Sequence, residues 1–285
     1  MKLKVKFSEI ILRLIIYLAA ILTCFSLIAI VFYIIGNGMG RINFKFLISS
    51  YSESPGGEKG ILPMIINTFY VLVITMLISF PIGLGSAIYT TQYSKSNLLK
   101  KIVSFSSDIL SGIPSVTFGL FGYSVFCSKY RLGTSIIAGC LTMAICVLPT
   151  IIRGCEEALE KVPEDYKEAA ISLGANKLQV TFDIVLPSAM DDIINTISLC
   201  IGKILGESAI LLYTVGMSYF MPKGIFSHIF ESGRTLTLHL YQIAKQSNDV
   251  DSLSITFATA TILLILIFLS NTIINLISRF FYAKR

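Results

Sequence analysis

Six stretches of this sequence run for about the thickness of a bilayer with almost no charge. They lie near Leu14 to Ile35, Ile61 to Tyr89, Ile109 to Phe126, Thr134 to Ile152, Ile193 to Val215 and Ile255 to Ile277. Only the fifth contains charged residues, Lys203 and Glu207. A membrane helix needs about 20 apolar residues, and hydrocarbon tolerates only backbone whose polar groups are satisfied internally. The runs therefore predict an all-α, polytopic membrane protein with six transmembrane helices. Six spans take up roughly 120 residues at about 20 each. The rest of a 285-residue chain supplies loops but no separate soluble catalytic domain. Charged residues make up 14% of the chain, against about 25% in an ordinary soluble domain. This balance excludes a disordered chain, a nucleic-acid-binding domain and most soluble enzymes.

The first run is longer than a signal-peptide core of about 7–15 residues and ends in Gly36-Asn37-Gly38 rather than a small-residue cleavage site. It reads as a retained span, with Arg13 able to snorkel at its edge. Residues 1–60 thus form an N-terminal span and an extracytoplasmic loop with a Ser54-Pro55-Gly56-Gly57 turn. Residues 61–285 form the transmembrane core, interrupted by a charged, helix-prone stretch at 153–192. Pro81, Gly83 and Gly85 mark a kink late in the second span.

Six spans place both termini on one side. That side carries 14 basic residues: Lys2, Lys4, Lys6 and Arg13, then Lys95, Lys100 and Lys101, then Arg153, Lys161, Lys167 and Lys177, then Arg279, Lys284 and Arg285. The opposite side carries 8, and Lys203 lies within a span. The positive-inside bias puts both termini in the cytoplasm and explains the net charge of +6 without nucleic acid. The six cysteines form no Cys-x-x-Cys pair and read as small buried hydrophobes. His228 and His239 are eleven residues apart, wrong for a helix-face metal pair, and read as surface residues. No phosphate loop, metal cluster or catalytic triad is recognisable, so the sequence predicts no cofactor.

The most specific signal lies between the fourth and fifth spans. Glu168-Ala169-Ala170 is followed after three residues by Gly174, and after nine more by Ile184, then Leu186-Pro187. Pro163 suits a first helical turn, and Glu164 and Asp165 suit its positive end. Gly174 is a natural helix stop, Asn176 a cap for a second helix from Lys177 to about Val185, and Pro187 a break. The outcome is a helix–turn–helix on the cytoplasmic face, with Ala169 and Ala170 offering a low surface to a partner.

This pattern resembles the EAA loop of ABC-importer permeases at every position. The resemblance implies a type I ABC-importer permease fold in a prokaryotic inner membrane. It also implies that Glu168, Ala169, Ala170 and Gly174 dock in a separate ATPase. Ser111-Gly112-Ile113-Pro114-Ser115, continuing through Phe118-Gly119-Leu120-Phe121-Gly122, resembles the Gly-Ile-Pro-Ser segment of phosphate-importer permeases. Gly206-Glu207-Ser208-Ala209 with Leu211-Leu212 resembles the Gly-Glu-Thr-Ala-Pro-Leu-Leu segment of the PstA-type subunits, with Ser208 for Thr and Ile210 for Pro. The implied assembly has a PstC-like second permease, a PstB-like ATPase dimer and a PstS-like external phosphate-binding protein, embedded in membrane lipid. Phosphate is the implied cargo. Another oxyanion, molybdate or sulfate, stays open, as does a gradient-driven secondary transporter.

Lys203 and Glu207 are four residues apart and share a face if the fifth helix is continuous. A mid-span Lys costs about 2.5–3.5 kcal/mol on insertion scales, so such charges line a polar path or pair with each other. Both readings stand: an anion path lined by Lys203 and balanced by Glu207, or a structural ion pair. The family more often has Arg at this position, and Lys offers a point charge without a bidentate fork. Gly112, Pro114, Gly119 and Gly122 read either as a helix break beside the path or as close helix packing. The outer loop 216–254, with Arg234 and His239, is a candidate surface for an external binding protein.

Overall fold

The computed structural model describes residues 2–54, 57–94, 97–222, 224, 226–246 and 250–282. Pro55 and Gly56 of the expected turn, and Lys95, Lys223, Lys284 and Arg285 of the charge count, lie outside the described residues. The chain forms thirteen described α-helices. They are α1 (Lys2–Gly38), α2 (Phe44–Ile48), α3 (Leu62–Ile88), α4 (Asn97–Gly112), α5 (Ser115–Gly122), α6 (Ile136–Glu160) and α7 (Glu164–Ser172). They continue as α8 (Lys177–Gln179), α9 (Leu186–Ser188), α10 (Met190–Gly206), α11 (Ala209–Thr214), α12 (Leu236–Gln246) and α13 (Val250–Tyr282). Wider π turns extend α3 to Tyr93, α5 to Lys129 and α8 through Val185.

Four helices are long and apolar enough to cross a membrane, within Glu9–Arg41, Leu62–Tyr93, Ile136–Glu160 and Asp251–Leu276. Two bent pairs bring the count to as many as six: α4 with α5, bent by 99°, and Lys177–Ser188 with α10, bent by 63°. Local chemistry explains the helix starts. Pro63 sits in the first turn of α3, where its missing N–H costs nothing. Ser135 caps α6 by accepting from the Ala138 amide at 3.4 Å.

α6 is the centre of the bundle. Two thirds of its most apolar window is buried, whereas none of that of α1 is. Val71 of α3, Met143, Val147 and Ile151 of α6, Ile193 and Ile204 of α10, and Leu211 of α11 form the main core. A second core at the opposite end joins Phe46 of α2, Ile61 and Met64 at the start of α3, Leu236 and Ile243 of α12, and Ile255 and Ile262 of α13. Apolar side chains such as Leu22, Phe25 and Phe32 of α1 face outward, as hydrocarbon contact requires.

The structure decides one alternative and corrects other expectations. The third run contains the helix break that Gly112 and Pro114 offered as one of two readings. It breaks at Ile113-Pro114, because Pro cannot continue a helix and disfavours helical backbone before it. The fifth run is interrupted too: α10 ends at Gly206 and Glu207 is extended, with φ −80° and ψ 126°. Lys203 and Glu207 therefore do not share a continuous helix face. The fourth helix runs on to Glu160, well into the charged stretch. The second bend falls at Ala189, while Pro187 sits in the first turn of α9, where Pro is tolerated.

Candidate functional site

Two adjoining cavities run along α6 and α10. One, of about 650 Å³, is lined by Thr150, Asn195, Ser198, Leu199, Gly202, Lys203 and Asn271. The other, of about 470 Å³, shares Thr150, Asn195 and Leu199 and extends past Ser111, Arg153, Glu157, Lys161 and Asp192. The lining follows helical spacing. Thr150, Arg153 and Glu157 of α6 form one stripe that Lys161 at its C-cap continues, and Asn195, Ser198, Gly202 and Lys203 form one stripe of α10. Together they make a groove from the end of α10 that holds Lys203 to the end that holds Asp192, its accessible wall mostly apolar around Lys203 and more polar toward Asp192. At 1.5 Å per residue Lys203 lies about 20 Å along the axis from Met190, deep in a bilayer.

Charge along the groove is mostly paired. Arg153 meets Asp108 of α4, and Lys161 donates to Asp192 at 2.9 Å. Asp192 raises the pKa of Lys161, first through that hydrogen bond and then through its charge. Lys203 forms no ion pair among the described residues, and its ammonium donates to the Cys146 carbonyl at 3.4 Å. Glu207 has other work. Its Oε1 accepts from the amides of Ala209, at 2.8 Å, and Ile210, at 3.3 Å, capping α11. Its carbonyl accepts from Thr237 Oγ1 at 3.1 Å. A polar residue at a helix break looks from sequence like one half of a helical pair.

Gly112 and Pro114 form the α4–α5 break and are exposed, but neither lines the groove; their neighbour Ser111 does. Gly119 and Gly122 are packing residues, since a Cβ there would meet Tyr213 and the Ala209 carbonyl, or Thr142. They let α5 lie close to α11 and α6.

The predicted helix–turn–helix is present. Glu164 and Asp165 open α7, and Gly174 takes φ +89° just beyond its end. Asn176 and Gln179 form a reciprocal capping box, with amide contacts of 3.0 and 2.8 Å. Glu168, Ala169 and Gly174 are exposed, but Ala170 is not. It is 6% exposed and packs into the main core with Val162, Val180 and Val185, which corrects its assignment to the partner-facing surface. The exposed face instead presents Tyr166, Ile171, Leu178 and Leu173, the last 90% exposed. Single apolar residues in a charged stretch gave no sequence signal for this.

The histidines are also corrected. His228 and His239 are both buried. His228 contacts Asn67 Oδ1 at 2.6 Å and Glu231 at 3.1 Å. Arg234, likewise buried, binds the Met217 carbonyl at 3.2 Å and Glu53 at 3.3 Å, lies 3.5 Å from His239 Nδ1, and stacks near the rings of Tyr51 and Tyr219. Arg234 and His239 thus hold the outer loops together and are not a surface for a binding protein. Five cysteines are buried as expected, and Cys24 is exposed on α1.

Residues 79–282 match the family described as binding-protein-dependent transport system inner membrane component. The chain is 30% identical over 276 residues to the probable ABC transporter permease protein YqgI of Bacillus subtilis, covering 94% of each chain. It is 36% identical over 222 residues to the phosphate transport system permease protein PstA homolog of Mycoplasma pneumoniae, covering 74% of this chain but 33% of that longer protein. Its fold is similar to a solved inward-facing conformation of the MetNI methionine ABC transporter, with a TM-score of 0.58 at 19% identity, over 78% of this chain and 94% of that one. The chain therefore belongs to the binding-protein-dependent transport system inner membrane component family, and is a multi-pass inner-membrane permease of an ABC transporter in which a separate subunit hydrolyses ATP.

Proposed function

We propose that the chain is the PstA-type permease subunit of a phosphate importer. Lys203 lines the anion path, and the groove between α6 and α10 is this subunit's share of the inward route. The observation that carries the reading is Lys203 itself, a deep cation with no ion-pair partner among the described residues, at the wall of a groove that is otherwise mostly apolar there. A phosphate crossing low dielectric needs such a fixed positive charge. The PstA homolog among its relatives and the Gly-Ile-Pro-Ser segment support phosphate over other oxyanions.

Both termini lie in the cytoplasm, and residues 61–285 form the permease core. Within it, 153–192 is the coupling segment that meets the ATPase dimer through Glu168, Ala169 and Gly174, beside the apolar face of Ile171 and Leu173. Ala170 serves from the inside, and Gly112 and Pro114 shape the bend of the third span. A second, PstC-like permease completes the path, and a PstS-like protein delivers phosphate from outside. ATP binding closes the ATPase dimer, moves the coupling segment and opens the path outward; hydrolysis resets it.

The test is reconstitution of the full importer in vesicles with ATP and phosphate-loaded binding protein. Lys203→Met is expected to lower uptake at least tenfold with the complex still assembled. Unchanged uptake overturns the path. Competition by sulfate or molybdate as strong as that by unlabelled phosphate overturns the cargo.

A further inference from the structure

Among the described residues, buried hydroxyls on the helices mostly have a partner, and Thr75 on α3 is one that has none. Thr68, Ser79, Thr142, Thr181, Thr196, Thr214 and Thr259 each donate to the carbonyl four residues back. Ser198 does not. Its Oγ is buried and without a hydrogen-bond partner, although the Ile194 carbonyl is available one turn back. The Oδ1 of Asn271 on α13 is in the same condition. Both residues line the cavity that holds Lys203.

Buried polar atoms normally find partners, and one left alone costs about 1–3 kcal/mol. Asn271 is costly for a second reason. It stands in a mostly apolar stretch of α13, in the run Ile265 to Leu276 that also holds Ser270, Thr272 and Asn275. It is eleven residues from Tyr282, about 17 Å along the axis, a depth comparable to that of Lys203. Two unused polar groups and one fixed cation thus line one cavity on facing helices, with Ser198 about 8 Å below Lys203 along α10.

We propose that Ser198 and Asn271 contact the transported anion and select it by its protonation state. The proposal rests on Lys203 lining the path. Near neutral pH, inorganic phosphate keeps one or two protons, whereas sulfate and molybdate keep none. Lys203 supplies charge to any oxyanion. Once side-chain rotation turns the two sealed atoms into the cavity, the Ser198 hydroxyl donates to an anion oxygen, and the Asn271 amide oxygen accepts from a P–OH group. An acceptor beside the cation is satisfied by phosphate and left unpaired by a fully deprotonated anion. Sites that hydrogen-bond a substrate hydroxyl reject analogues lacking it far better than apolar pockets do.

The test uses the complete importer in vesicles, with saturating phosphate-loaded binding protein, and reads phosphate delivered per ATP hydrolysed. Ser198→Ala and Asn271→Leu are each expected to lower that ratio roughly fivefold or more with ATP hydrolysis unchanged, and Ser198→Thr to keep it within about twofold. A purely structural role lowers hydrolysis and delivery together, or costs assembly, and that result overturns the proposal. If Asn271→Leu fails to assemble, Ser198→Ala against Ser198→Thr decides. If both variants deliver phosphate normally while Lys203→Met does not, the proposal falls and the path stands. If Lys203→Met also delivers normally, the path reading itself falls.

Discussion

The ammonium of Lys177 sits 4.9 Å from the centre of the Tyr93 ring. The Tyr93 hydroxyl also lies 3.5 Å from Thr181 Oγ1. These contacts tie α8, the second helix of the proposed coupling segment, to the π turn that ends α3. A half-exposed cation–π contact is worth about 0.5–1 kcal/mol. Tyr93→Ala should therefore reduce transport per ATP a few-fold while ATPase binding stays intact. Vesicle uptake measured beside ATP hydrolysis checks this; a parallel loss of both speaks against it.

Gly174 is the next test. Nothing crowds a Cβ at this position, but φ +89° strains any L side chain. Gly174→Ala is expected to cost roughly 1–2 kcal/mol locally and to weaken ATPase association about tenfold. Titration of purified ATPase against the permease complex reads this directly, and an unchanged affinity contradicts it.

Glu207 separates capping from charge. Glu207→Ala leaves two amides of α11 unsatisfied and should destabilise the protein by about 1 kcal/mol. Glu207→Gln keeps an acceptor oxygen and should lose less than half as much. Thermal unfolding in detergent gives the comparison. Equal losses would mean that the negative charge, not the cap, matters.

His239 gives a pH dependence. Burial, and then the neighbouring Arg234 charge, push its pKa down from 6.5 to about 3. The folded imidazole is thus neutral where the unfolded one is protonated. The unfolded state binds the extra proton between those values, so stability falls as pH drops from about 6.5 toward 3. The slope approaches about 1.4 kcal/mol per pH unit. The melting temperature should fall between pH 7 and pH 5, and less steeply in His239→Gln. Identical slopes would exclude His239 as the source.

The sequence was clearest where apolar content alone decides the outcome. The runs behind α1, α3, α6 and α13 have no competing way to satisfy their backbone in lipid, so their existence is legible in hydropathy. The cap at Asn176 and the stop at Gly174 are legible because their chemistry is local. The break at Glu207 is not, since hydropathy does not separate a continuous helix from one that ends and restarts. Burial of His228, His239 and Arg234 escaped for another reason: partners such as Asn67 and Glu53 are more than 150 residues away in sequence. Asn271 was absorbed into an apolar run, and only its place beside Lys203 gives it meaning.

Ala170 has a mechanical consequence. Because it is embedded with Val180, Val185 and Ile193, the proposed coupling helix α7 is bolted to the transmembrane body rather than hung from it. A load arriving at Leu173 has no slack to take up before it reaches the foot of α10. On the proposed coupling role, stiffness at position 170 then helps set how faithfully a stroke of the motor becomes a tilt of the groove.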